Sequence, residues 1–321
     1  MRTLLALLAL GLAVGAAACG SDDEAGSADL SVVATTTQVA DLARNVAGDR
    51  VAVTGILTAN TDPHDYEPRP GDAKALAGAD LVLRSGGEVD EWLGDLLDSA
   101  GSDATTVTLI DRMRTRDGEG HAHEGEEEAE GHEDHEIDPH WWQDPHNAET
   151  AVTAIRDALV KADPDDKSTY DANAKAYLGR LEALDGAIAR CMEAIPAERR
   201  KLVTNHDALG YFADRYDIEV VGAVIPALST AARPSAGETR ELVDTIRREG
   251  VTTIFPESSL NPKLEQAIAA EAGAEVGPAL WADTLGEKGS AGATYLGALR
   301  ANAEAMAEGF NGGTARCDLP R

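Results

Sequence analysis

Basic residues are scarce in this chain. Its 321 residues include 28 Lys and Arg against 57 Asp and Glu, for a net charge of −29. Nucleic-acid backbones are bound by clustered positive charge, so this balance excludes DNA or RNA as a partner and suits attraction of cations. Long apolar runs are missing beyond the N-terminus, so no later segment is suited to span a bilayer as a helix. Cysteine is limited to Cys19, Cys191 and Cys317. The H-E-x-x-H pair that many zinc hydrolases use is absent. Lys and Arg are missing altogether from residues 117–138, which also hold few apolar residues. Such a stretch buries too little surface to fold and reads as a solvated loop.

The N-terminus carries a processing signal. Arg2 is followed by apolar residues 4–14 and then by Ala16-Ala17-Ala18-Cys19. The apolar run is too short for a spanning helix and has small residues before the break, as a secretory signal does. The Ala-Ala-Ala-Cys junction resembles a bacterial lipobox. That likeness implies cleavage after residue 18 and lipidation of Cys19; ordinary cleavage beside an incidental cysteine is the alternative. Residues 1–18 are then a signal peptide and 19–29 a tether to a lipid that is the sole anchor. The expected location is the outer face of the bacterial cytoplasmic membrane. An exported chain meets oxidising conditions, so the remaining pair, Cys191 and Cys317, reads as a disulfide, with two separate thiols as the alternative.

Histidine is where the chain spends its special chemistry. Six of its eight histidines lie in residues 117–147: His121, His123, His132, His135, His140 and His146. Imidazole beside dense carboxylate suits zinc, copper, iron or nickel. The four in the acidic run, residues 117–136, read as a weak metal-collecting loop. His140 follows Pro139 and precedes Trp141-Trp142, and so belongs to structured protein.

The rest of the chain alternates. Residues 30–36, 51–57, 80–84 and 107–110 read as strands, and 38–47, 73–79, 89–100 and 147–161 as helices. Residues 165–192 differ: Tyr170, Ala174, Tyr177, Leu181, Leu184, Ile188 and Cys191 recur at three- and four-residue steps. That is one amphipathic helix about 42 Å long. Strands at 201–204, 219–225, 251–255 and 276–280 then alternate with helices at 208–216, 237–249, 261–272 and 293–310. The fold class is α/β. Two parallel-sheet lobes, residues 30–163 and 197–321, are joined by a linking helix within 164–196 and leave a cleft between them. A single long helix as linker limits hinge motion.

Open parallel sheets bind ligands beyond the carboxyl ends of their strands. His64, His140, His206 and Asp283 all fall at such ends, two per lobe in chain order. Three imidazoles and a carboxylate form a four-coordinate set suited to Zn²⁺. Glu257 is a rival carboxylate and His146, in a third Asp-Pro-His triplet, a rival imidazole. Trp141, Trp142, Tyr66 and Tyr211 read as packing. The same three histidines with Glu257 as general base would describe a zinc hydrolase; a surface adhesin is a third reading.

Several motifs together resemble a known family. They are Asp62-Pro63-His64-Asp65-Tyr66-Glu67-Pro68, Asp138-Pro139-His140-Trp141-Trp142, Thr204-Asn205-His206-Asp207-Ala208-Leu209-Gly210-Tyr211-Phe212, Ile254-Phe255-Pro256-Glu257 and Thr294-Tyr295-Leu296. They are similar to the zinc and manganese substrate-binding proteins of bacterial ABC importers, the group that includes the zinc-uptake protein ZnuA. The resemblance implies no catalysis, a metal in the cleft, and delivery to a membrane permease with its ATPase by a monomer. By position the family's ligands fall on His64, His140, His206 and Asp283. Manganese members typically have Glu where this chain has His206, so the resemblance favours zinc, with manganese as the alternative.

Overall fold

A computed structural model describes residues 30–118, 137–313 and 317–320. The signal, Cys19, the tether, His121, His123, His132 and His135 lie outside the described residues. β-branched residues form the first strand, β1 (Ser31–Ala34), whose last three side chains are buried. The Thr36 hydroxyl accepts the Val39 N–H and starts α1 (Thr37–Ala47); Gly48, at φ 69°, stops it. Next come β2 (Ala52–Gly55), α2 (Pro70–Ala77), β3 (Leu81–Arg84), α3 (Leu93–Ala100) and β4 (Thr105–Thr108). The four strands form a parallel sheet in the order β2-β1-β3-β4. An antiparallel bridge between Asp117 and Ile137 brings the flanks of the acidic run together. α4 (Pro145–Ala162) closes this lobe.

The connecting helix is α5 (Lys167–Glu193), 27 residues long. The second lobe follows with β5 (Lys201–His206), α6 (Gly210–Tyr216), β6 (Glu219–Ile225), α7 (Ala236–Glu249), β7 (Thr253–Ile254), α8 (Lys263–Ala272), β8 (Glu275–Val276) and α9 (Tyr295–Phe310). β5 pairs with β6, and β7 with β8, all parallel. The Phe255 N–H donates to the Val203 carbonyl at 2.9 Å and joins the two pairs. The resulting order, β6-β5-β7-β8, repeats that of the first lobe.

Most expected elements are present, with shifted ends. The strand expected at 276–280 is only β8 plus an isolated parallel bridge between Glu257 and Leu280. Pro278 lacks the N–H that a continued ladder needs. The helix expected to start at residue 89 begins at Leu93. A 3-10 turn, Glu88–Asp90, precedes it, because the buried Asp90 carboxylate accepts from Thr35 Oγ1 at 2.7 Å, Arg84 Nε at 3.0 Å and Gly86 N at 3.1 Å.

The main core crosses the lobe boundary. Leu42, Trp142, Ile155, Tyr177, Phe212 and Tyr295, from both lobes, belong to one buried cluster that runs along α5. Of the seven residues expected on the inner face of α5, six are buried. The seventh, Cys191, forms a disulfide with Cys317 across 126 residues. A cross-link over so long a loop restricts the unfolded chain. Replacing Cys317 with Ser is expected to lower stability by about 2–4 kcal/mol. Denaturant unfolding of the metal-free protein checks this; an unchanged midpoint would show that the link adds nothing.

Candidate metal centre

Three Asp-Pro-His triplets set up the local geometry. In each, an Asp Oδ1 accepts the backbone N–H of the His two residues on: Asp62 to His64 at 3.0 Å, Asp138 to His140 at 2.9 Å and Asp144 to His146 at 2.9 Å. Side-chain capping of this kind makes a tight turn with proline inside it. The first two turns aim an imidazole into the space between the lobes. The third caps α4 and leaves His146 exposed, outside the cluster. His206 is the last residue of β5, and Asp283 follows the segment after β8.

The four candidate residues converge. One ligand atom from each of His64, His140, His206 and Asp283 lies within 4.8 Å of all the others. His206 Nε2 is 3.2 Å from Asp283 Oδ2, His64 Nε2 is 3.4 Å from the same oxygen, and His140 Nε2 is 3.4 Å from Asp283 Oδ1. The Nε2 atoms of His64 and His140 are 3.4 Å apart. Ligands about 2.0–2.1 Å from one tetrahedral ion stand about 3.3 Å from each other. All four side chains are buried, with no more than 1% of any exposed. His206 Nε2 and both oxygens of Asp283 have no hydrogen-bond partner among the described residues. Polar atoms buried in that way are costly unless a cation satisfies them.

Each imidazole is held from behind by its own carboxylate. His140 Nδ1 is 2.7 Å from Asp138 Oδ1, His206 Nδ1 is 2.5 Å from Glu257 Oε1, and His64 Nδ1 is 3.1 Å from Glu88 Oε1. An Nδ1–H donated to a carboxylate leaves the Nε2 lone pair facing inward, which is the arrangement metal-binding histidines use. Asp138 is fixed in turn by Arg116 Nη1 at 2.9 Å, and its carbonyl accepts from Tyr211 OH at 2.9 Å. Burial opposes the charge of Asp138, but His140 and Arg116 hold its pKa below the usual carboxylate value. Burial pushes Glu257 up, against the pull of His206. For Asp283 burial is outweighed by His206, His64 and His140, which hold its pKa well below the ordinary range.

This geometry corrects the roles of several residues. Glu257, the rival carboxylate, stands behind an imidazole: its Oε1 faces His206 Nδ1, and it lies outside the cluster of four. Glu88 and Asp138 were not among the expected site residues. Asp138 carries a signal in its own triplet, whereas Glu88 reaches His64 only through folding of the turn after β3. Gly86 and Gly87 make that turn with φ of 91° and 75°, and a Cβ on Gly87 would stand 2.7 Å from Pro139. Trp142 does more than pack: its Nε1 donates to the Ala282 carbonyl at 2.8 Å. Tyr66 does pack, against Trp92, with its hydroxyl on Asp72 at 2.6 Å.

Known proteins share this plan. The family described as zinc-uptake complex component A, periplasmic, matches residues 32–309. The chain belongs to this family. A manganese-binding lipoprotein, MntA, of Halalkalibacterium halodurans is 31% identical over 306 residues, covering 94% of this chain and 96% of its own. A metal ABC transporter substrate-binding lipoprotein, ScbA, of Streptococcus cristatus is 30% identical over 310 residues, covering 93% and 95%. The solved structure of the periplasmic zinc-binding protein TroA of Treponema pallidum superposes with a TM-score of 0.76 at 29% identity, covering 87% of this chain and 98% of that one. As a member of the zinc-uptake component A family, the protein is a metal substrate-binding component of an ABC transporter. It is not an enzyme, and its role implies a permease and ATPase as partners. No helix among the described residues is long and apolar enough to cross a membrane.

Proposed function

We propose that the protein captures Zn²⁺ outside the cytoplasmic membrane with His64, His140, His206 and Asp283, and delivers it to the permease. The observation that carries this reading is the convergence of three Nε2 atoms on one buried carboxylate at 3.2–3.4 Å, with a carboxylate oxygen within 3.1 Å of every Nδ1. A catalytic zinc keeps a position open to substrate, whereas this cluster is closed off from solvent. Three imidazoles favour zinc over manganese, which stands lowest in the divalent affinity series. Lipid anchoring through Cys19 and a monomeric state complete the proposal.

A manganese reading has its own support. Both oxygens of Asp283 face imidazoles, so the set offers five donors as well as four, and a curated relative is named for manganese. Separate calorimetric titrations of metal-stripped protein with Zn²⁺ and Mn²⁺ decide between the two. One tight zinc site that manganese fails to fill at matched concentration is expected. Tighter manganese binding would reverse the assignment.

A further inference from the structure

The Asp283 carboxylate faces only the imidazoles of His64, His140 and His206, so its position depends on how its backbone is held. The carbonyl just before it, on Ala282, accepts two side-chain donors: Gln143 Nε2 at 2.7 Å and Trp142 Nε1 at 2.8 Å. Two donors use both lone pairs of that oxygen and fix the rotation of the Ala282–Asp283 peptide. Gln143 Nε2 also reaches the Trp281 carbonyl at 3.3 Å. Both side chains are buried, and both belong to the 3-10 turn Trp141–Gln143 that directly follows His140. The Trp142 ring also meets the His140 imidazole edge-on, with centroids 5.4 Å apart.

Further contacts tie the same segment to the first lobe. The Leu285 N–H donates to Thr37 Oγ1 at 2.9 Å, and the Leu285 carbonyl accepts from Asn60 N at 3.1 Å. Tyr295 N donates to Asp41 Oδ2 at 3.0 Å. By chain order the candidate ligands divide two and two between the lobes. By contact Asp283 belongs to both: the same segment is held within its own lobe through Trp281, whose N–H donates to Asn302 Oδ1 at 2.7 Å and whose carbonyl accepts from Asn302 Nδ2 at 2.8 Å.

We propose that Trp142 and Gln143 are positioning residues for Asp283, so that one turn sets two of the four metal ligands. This rests on the assignment of Asp283 as a ligand. Losing a group that orients a ligand costs roughly 10–100-fold in metal affinity.

The test uses the full mature chain, stripped of metal. Gln143→Met and Trp142→Phe are each made alone and in an Asp283→Ala background. Zn²⁺ affinity is read by chelator competition, and coordination by the visible spectrum of bound Co²⁺. The expected result is Zn²⁺ binding weaker by about 10-fold and a shifted Co²⁺ spectrum for each single variant, with both effects gone for Gln143→Met, and reduced for Trp142→Phe, whose ring also meets His140, when Asp283 is already Ala. The same loss with or without Asp283 would overturn the proposal, as would parental affinity and spectrum in the single variants. Parental affinity in Asp283→Ala alone would instead remove the ligand assignment itself. If Gln143→Met does not fold, Trp142→Phe, which keeps the aromatic packing, carries the decision.

Discussion

Replacing His206 with Ala is expected to weaken Zn²⁺ binding by about a hundred- to a thousand-fold. Four-ligand zinc sites bind with about 10–16 kcal/mol, so one ligand accounts for about 2.5–4 kcal/mol, or about two to three powers of ten at about 1.4 kcal/mol per tenfold. His206 is fully buried at the end of β5, where water cannot readily replace it. Its loss also strands Glu257, whose Oε1 accepts both the Nδ1 and backbone N–H of His206. His146→Ala is the matched control: that residue is exposed and outside the cluster, and its loss should leave affinity at the parental value. Chelator competition on both variants is the measurement. A change below about threefold in His206→Ala would remove His206 from the ligand set.

Acidification should release the ion steeply. Burial opposes protonation of His64, but Asp283 and Glu88 overcome it and lift its pKa to about 9. His206 is likewise raised well above the ordinary imidazole value, burial being outweighed by Glu257 and Asp283. In the metal-free protein both rings hold protons near neutrality, and an incoming ion must displace them. Each displaced proton lowers affinity about tenfold per pH unit, so going from about pH 7.5 to 5.5 should cost about 10⁴-fold. Stability of the metal-free state follows the same linkage. The folded pKa of His64 lies above its unfolded value of about 6.5. Its contribution is therefore complete below about 6.5 and is lost as pH rises through about 9. Calorimetry in buffers of different ionisation enthalpy counts the protons released. Heats independent of buffer at pH 7.5 would mean that the cluster is already deprotonated.

Much of this could be read before folding was considered. The β-branched runs, the glycine stops and the inner face of α5 report their elements, because each depends on neighbours close in sequence. The Asp-Pro-His triplets are local in the same way, and two of them do aim an imidazole at the site. What was not legible depends on contacts across long separations. Glu88 meets His64 only because Asp90 folds the turn after β3 against Thr35. Glu257 could be named but not assigned, since a carboxylate at a strand end looks the same whether it faces a metal or the back of an imidazole. The attachment of Asp283 to the first lobe needed Trp142 and Gln143 to reach 140 and 139 residues along the chain.

The buried cluster that runs along α5 has a further consequence for the protein's lifetime. That cluster couples the two lobes, although each lobe also has a core of its own, around Val82 and Leu93 in the first and around Val203 and Ile254 in the second. An ion held by residues of both lobes would stabilise the folded chain, by about 4 kcal/mol when free metal is a thousand times the dissociation constant. Proteases cut the opened chain, and their rate follows its population when opening is fast. A loaded receptor is then degraded roughly a thousand times more slowly than an unloaded one. Resistance to proteolysis is thereby expected to track metal occupancy.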